Sequence, residues 1–173
     1  PDVLELFGEG ELASILINFP TPFPKKKRAP RRLTYLDRLM KYRLVLEDGG
    51  TLRMRTDSTP FRDFSLTQLN LAGYQLEWET DDVRGMFPDE PWSGYERKLV
   101  AKGAPVVGFC AVPGPAPEHV EQTAPLSLVS YLPEDLESLD YIPFGMQGSI
   151  DNIVGYNANR RKKGLPDWRP PIV

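Results

Sequence analysis

The feature that most constrains this chain is a rhythm. Between residues 12 and 112, short apolar runs alternate with helically periodic segments, and glycine or proline marks the joints. Residues 12–19 (LASILINF) are apolar almost throughout and end at Pro20, the pattern of a strand buried on both faces. Residues 33–46 place Leu33, Leu36, Met40 and Leu44 on one helical stripe, and Asp48-Gly49-Gly50 then offers a left-handed stop. Residues 51–55 predict a second strand running into Thr56-Asp57. Thr59 as N-cap and Pro60 at the first helical position predict a second helix, ending at Gly73. From Tyr74 the pattern alternates strictly, with Tyr74, Leu76 and Trp78 against Gln75, Glu77 and Glu79, as in an edge strand with one wet face. Ser93-Gly94-Tyr95-Glu96 has the form of a capping box opening a helix that closes at Gly103, and residues 104–112 predict a last apolar strand. Strands and helices in strict alternation specify an α/β layered domain.

The rhythm stops after Val112. Pro113-Gly114-Pro115-Ala116-Pro117 has linker composition. An apolar run (126–132), a short helix candidate (133–139) and a Gly/Asn-rich segment come next, ending in Arg160-Arg161-Lys162-Lys163 and Pro170-Pro171, which predicts a peripheral arm. The expected division is therefore residues 1–112 and residues 113–173.

Charge is unevenly placed. Residues 25–32 (KKKRAPRR) hold six of the 21 Lys and Arg, leaving 15 against 24 acids elsewhere. Such a patch on a negative body steers a polyanion to one face, although a solvated loop has the same composition. Cys110 is the single cysteine, which excludes an intramolecular disulfide and suits a reducing cytoplasm. Its apolar setting, VVGFCAV, predicts a buried core thiol rather than a nucleophile. One His (His119) and one Cys argue against a zinc site, and no apolar run approaches the roughly 18–20 residues of a membrane span. The acidic start PDVLELFGEGE is unlike a signal peptide and lacks Met, so a processed or truncated piece of something longer is expected.

Four landmarks, in order, carry a family resemblance. FPTPFPKKK at a strand end, with Arg31-Arg32-Leu33 behind it, resembles the F-P-D-P-W-P-K-K motif and trailing R-R-L of bacterial tRNA (guanine-N7)-methyltransferases. Gly49-Gly50-Thr51-Leu52 leading to Thr56-Asp57 is similar to that family's G-G-x-L…T-D. Ser93-Gly94-Tyr95-Glu96-Arg97-Lys98 is similar to its T-E-Y-E-x-K helix start, and Gly103 with the following strand also matches. The resemblance covers about residues 1–112 and implies a Rossmann-like fold, S-adenosyl-L-methionine as methyl donor, and a tRNA guanine N7 as acceptor.

The implied roles track the motifs. Asp57, Glu96 and Thr21 fall at the catalytic positions, and Asn18, Phe19 and Ser93 beside the cofactor. Lys25, Lys26, Arg32, Thr56, Asp57, Ser93 and Glu96 fall on the substrate side. Guanine N7 carries an in-plane lone pair and no proton, so methyl transfer needs positioning rather than a general base. Asp57 and Glu96 are suited to accept from the N1–H and N2–H2 edge of a base taken out of its stack, and the cations to meet phosphate. Read alone, Asp57 is equally a helix lead-in and Glu96 half of a capping box. Thr21 stands where the family has an acid, Phe23 where it has Trp, and Gly94 where it has the first acid of T-E-Y-E; the family's His after the lysines is absent.

No Gly-rich loop after a strand precedes Leu12, since Gly8-Glu9-Gly10 is only a turn. The expectation is a fold lacking its N-terminal cofactor-binding half, with an irregular C-terminal arm. An exposed sheet edge would then invite a missing N-terminal segment or a homo-oligomer. The alternatives to a tRNA methyltransferase are a non-catalytic RNA-binding protein of the same fold and a Rossmann-like methyltransferase with another substrate.

Overall fold

The computed structural model describes residues 2–137 and 139–169. Four strands, β1 (Leu12–Asn18), β2 (Leu46–Thr56), β3 (Tyr74–Thr80) and β4 (Val107–Pro113), form one sheet in the order β1-β2-β4-β3. β1 and β2 are parallel, whereas β4 runs antiparallel to both neighbours. The α/β expectation holds, with a mixed sheet.

Helices connect the strands. After the short α1 (Val3–Leu6), the crossover from β1 to β2 carries α2 (Leu36–Val45). α3 (Thr59–Leu71) joins β2 to β3, and α4 (Val83–Met86) and α5 (Gly94–Val100) join β3 to β4. Ile17, Leu52, Met54, Phe109 and Ala111 from the sheet meet Leu36, Leu39 and Tyr42 of α2 and Leu69 and Ala72 at the end of α3. Each fully buried large side chain contributes about 1.5–3 kcal/mol relative to exposure.

Local expectations met tertiary structure unevenly. β1 is not buried on both faces: it lies at the sheet edge, only Ile17 is buried, and Leu16 is 63% exposed. The stripe of α2 is Leu36, Leu39, Tyr42 and Val45, whereas Leu33 and Leu44 face solvent. α2 passes directly into β2 at Leu46, so the glycines do not stop it. Gly49 (φ +77°) and Gly50 instead form an irregularity inside β2, between the Leu12–Leu46 and Ser14–Thr51 pairs. A Cβ at Gly50 would meet the Glu47 carbonyl oxygen at 2.9 Å, which excludes any side chain there. The α3 N-cap is Ser58, whose hydroxyl accepts from the Phe61 N–H at 3.3 Å, with Thr59 already inside the helix. β3 is the expected edge strand, but a register shift between Leu76 and Trp78 interrupts its alternation.

The C-terminal segment is more ordered than its composition predicts. Residues 126–132 contain a 3-10 turn (Leu128–Tyr131), and the Gly/Asn-rich stretch is a 16-residue helix, α6 (Gln147–Lys162). Leu128, Met146 and Ile150 close over Phe61 and Phe64 of α3 as a second core. The helix expected over 133–139 is absent among its described residues; Ser138 lies outside them, as do Pro170 and Pro171. Among the described residues, no helix is long and apolar enough to cross a membrane, and no cluster of His, Cys, Asp or Glu could hold a metal.

Candidate functional site

The parallel strands β1 and β2 end side by side, and the loop leaving β1 and the turn leaving β2 form the site. β1 gives way to a loop in which Phe19 (φ +48°) and Phe23 (φ +43°) both adopt the left-handed region. For such bulky residues this conformation costs on the order of 1–3 kcal/mol each and persists only where surroundings fix it. Here they do. The Phe19 N–H donates to the Arg55 carbonyl at 2.8 Å, and the Phe19 ring meets Tyr95 of α5 edge-on at 5.6 Å.

Arg32 fixes the other end of this loop. Its Nε donates to the Pro22 carbonyl at 3.0 Å, and its Nη2 donates to those of Phe23 and Pro24 at 2.8 and 3.3 Å. The guanidinium lies 4.2 Å from the Phe64 ring centroid, and the residue is 0% exposed. Burial pulls its pKa down to about 10. The phosphate-binding role expected for Arg32 is therefore corrected: the side chain is sealed inside the protein, where it shapes the loop that carries the exposed cations. Lys25, Lys26, Lys27, Arg28 and Arg31 are exposed, and among the described residues none forms an ion pair. Lys25 and Thr21 line one groove with Lys27 and Arg28, whereas Lys26 faces a different hollow beside Gln122 and Trp168.

At the end of β2, Thr56 and Asp57 turn into α3. Thr56 is buried, and its hydroxyl accepts from the Ser58 N–H at 3.2 Å, so it holds the turn. Asp57 lines a cavity of about 440 Å³ with Thr59, Pro60, Pro105, Leu139 and Tyr141. Tyr141, from the C-terminal segment, donates its hydroxyl hydrogen bond to Asp57 Oδ2 at 2.6 Å. Burial first, then this bond to Asp57, pushes the Tyr141 phenol pKa well above its ordinary value.

Glu96 behaves differently from its expected role. Ser93 caps α5 by accepting from the Glu96 N–H at 3.0 Å, but the Glu96 side chain does not complete the box. It turns inward, 1% exposed, to bond Arg84, with Arg55 Nη1 at 3.9 Å. Arg55 also pairs with Glu90, which bonds Arg53 at 2.9 Å. Arg53–Glu90–Arg55–Glu96–Arg84 is thus a ladder of alternating charge beneath α5. A carboxylate so buried and so fully paired is a poor direct acceptor for a base edge, and we correct its role to holding α5 and Tyr95 in place.

The structure brings Phe19, Tyr95, Asp57 and Tyr141 to one region. Thr21 lies in the basic groove instead, and Asn18 is exposed at the end of β1. Sequence reasoning missed Tyr141 and the two cations, Arg55 and Arg84, that flank Glu96. Tyr141 lies 84 residues from Asp57 and carries no local signal, whereas Arg84 had one, a cation in a short helix preceding a Ser-capped helix with an acid in its first turn.

The test of a cofactor fit is the donor set. Gly8 and Gly10 lie before β1, at the sheet end opposite Asp57, and no described residue at the β1 and β2 ends offers a Gly-rich phosphate or ribose cradle. Asn18, Phe19 and Ser93 amount to one wall; these residues alone do not fit S-adenosyl-L-methionine.

Comparison with known proteins decides the lineage. A family model described as "Putative methyltransferase" matches residues 2–108. The chain belongs to this methyltransferase family. Its α/β sheet agrees with a methyltransferase fold of that kind. The tRNA (guanine-N(7)-)-methyltransferase of Limosilactobacillus reuteri (strain DSM 20016) is 36% identical over 112 residues, 64% of this chain and 53% of that protein. The proteins of the same name from Geobacillus thermodenitrificans and Lysinibacillus sphaericus are 38% and 34% identical over 107 and 106 residues, covering 59% and 61% of this chain and 48% and 49% of theirs. The chain spans about half the length of the curated relatives it matches.

Proposed function

We propose that this methyltransferase-family chain is the guanine- and RNA-facing portion of a cytoplasmic tRNA (guanine-N7)-methyltransferase that uses S-adenosyl-L-methionine. Residues 1–112 form the methyltransferase portion and residues 113–173 its extension. The observation that carries the reading is Asp57, held at the end of β2 where it lines a cavity whose Pro143 adjoins Phe144 of the groove that bears Lys25, Lys27 and Arg28. Similarity to relatives bearing that name supports it.

In this reading Asp57 accepts from the N1–H and N2–H2 edge of a guanine withdrawn from its stack. The fixed negative charge orients the base and favours the cationic N7-methylguanine product. The donor, when bound, would supply a methyl whose bond to sulfur breaks as the guanine N7 lone pair takes it, so no proton would need to move and this chain's residues would act by positioning the base. Tyr141 engages Oδ2 and fixes the rotamer, leaving Oδ1 to the base. The exposed Lys25, Lys27 and Arg28 bind the backbone, so affinity falls steeply with salt. The remaining cofactor wall comes from outside these residues.

Titration of a tRNA transcript into the chain at several salt concentrations tests this reading. Salt-dependent binding that Asp57→Asn weakens is expected; binding indifferent to salt and to that substitution would overturn it. A second reading, a non-catalytic RNA-binding protein of the same fold, is favoured by Thr21 at the family's acid position. Tight tRNA binding with no methyl transfer, even when a relative's remaining residues are fused to the chain to supply the cofactor wall, would select it.

A further inference from the structure

We propose that Phe144, which lies outside the family-matched residues, forms a nucleotide-binding subsite with Lys25, Lys27 and Arg28, in which an unstacked base packs on the Phe144 ring and its phosphates meet the cations. It deepens the RNA-facing reading above and rests on it.

Phe144 is 75% exposed, the most exposed large apolar side chain among the described residues. It is not at a loose end of the chain. Pro143 on one side is buried, and Met146, two residues further, is 0% exposed within the second core. Gly145, next to Phe144, takes φ +78°, and a Cβ added there would lie 3.6 Å from the Pro24 ring. Both flanks are thus tied down, and the turn holds the ring in water where a free chain would fold it away.

Opposite this ring lies the loop that Arg32 fixes. Thr21, Phe23, Lys25, Lys27 and Arg28 share with Phe144 a groove of about 330 Å³, within the size range of small-ligand pockets (from about 300 Å³). The groove combines an aromatic face, a hydroxyl and three cations without carboxylate partners, the combination that recognises single-stranded nucleic acid. A peptide or acyl chain would leave these cations unmatched, which favours a polyanion with flat bases. The segment from Tyr141 to Phe144 also links the groove to Asp57, so one strand of RNA can run along both.

The test measures binding of the whole 173-residue chain to a tRNA transcript and to an oligouridine of about 12 nucleotides, within the site sizes of single-strand binders, across a salt series. Phe144→Ala is expected to weaken both about 5- to 150-fold, the loss of one stacked base, with the salt slope unchanged. Phe144→Trp should restore affinity, with its fluorescence quenched on binding, and Phe144→Leu should not. Lys25→Gln with Lys27→Gln should instead flatten the slope of log affinity against log salt by about 1.4. Unaltered affinity in Phe144→Ala, or full rescue by leucine, overturns the subsite while leaving the RNA-facing reading intact. Failure of the unsubstituted chain to bind either RNA overturns both. Loss of binding to phosphatidylserine vesicles in Phe144→Ala, with RNA binding unchanged, overturns the subsite in favour of a membrane surface.

Discussion

Replacing Arg32 with methionine removes the group that organises the loop from Phe19 to Arg31. The guanidinium makes three hydrogen bonds to consecutive carbonyls, of which only the Pro24 bond is long. Bonds to a charged group are worth about 1.5–3 kcal/mol each, net of hydration. Taking the weak end for three bonds, and subtracting about 1–2 kcal/mol for the buried methionine that replaces the stem, leaves a loss of about 3 kcal/mol. Arg32→Lys should not rescue it, because one ammonium cannot reach three carbonyls in the plane that the guanidinium spans. Urea denaturation read by both circular dichroism and Trp fluorescence measures the effect, with coincident transitions required. Because Arg32 does not face solvent, the tRNA salt slope of Arg32→Met should stay near that of the unsubstituted chain at equal folded fraction. A loss below about 1 kcal/mol, under the worth of even one such bond, or recovery of most of it by lysine, would refute the reasoning that Arg32 holds the loop from inside.

Three further outcomes are expected. Tyr141→Phe should lower stability by about 1.5 kcal/mol, the value of a hydrogen bond to a carboxylate, measured by the same urea transition; a change under about 0.5 kcal/mol would deny the bond to Asp57. Burial alone would lift the Glu90 pKa, but the hydrogen bonds from Arg53 and Arg55 win and hold it below the ordinary 4.5. The folded state therefore binds fewer protons than the unfolded one, and this stability is fully present above about pH 4.5 and lost as pH falls through the folded value. Glu90→Gln should flatten that acid limb in a pH series of urea midpoints, and an unchanged limb would contradict the ladder. Burial, then the hydrogen bond to Glu77, pushes the Cys110 thiol up to about 11 from 9.0. At about pH 8 its alkylation by iodoacetamide should be about 100-fold slower in the folded chain than in urea, and equal rates would contradict its burial.

The legible part of the fold was local. The end of β2 at Thr56-Asp57, the Ser93 N-cap and the left-handed Gly73 rest on short-range chemistry and are where the residues place them, whereas β2 begins at Leu46, five residues before its expected start at Thr51. Tertiary packing decided the rest. Leu33 and Leu44 have the right spacing for the α2 stripe, yet the sheet selects Leu39, Tyr42 and Val45, because the helix begins later and rotates. Helix α6 hides behind Gly148, Asn152, Gly155, Asn157 and Asn159, poor helix formers; its start is anchored by Met146 and Ile150 against α3, contacts that no local window contains. Arg32 sat in a run of cations and shared their composition but not their environment. In the site, Asp57 was legible from its motif, whereas the Tyr141 hydroxyl upon it depends on a contact spanning 84 residues.

The measurement that bears most directly on the central claim is methyl transfer with mapping of the modified base. The chain is fused to the part of the Limosilactobacillus reuteri relative outside their 112 matched residues, and incubated with tRNA and labelled S-adenosyl-L-methionine. The account predicts label on a guanine N7, revealed by borohydride- and aniline-induced cleavage, and its loss in Asp57→Asn. Label at another position, or full transfer by the Asp57→Asn form, would contradict it.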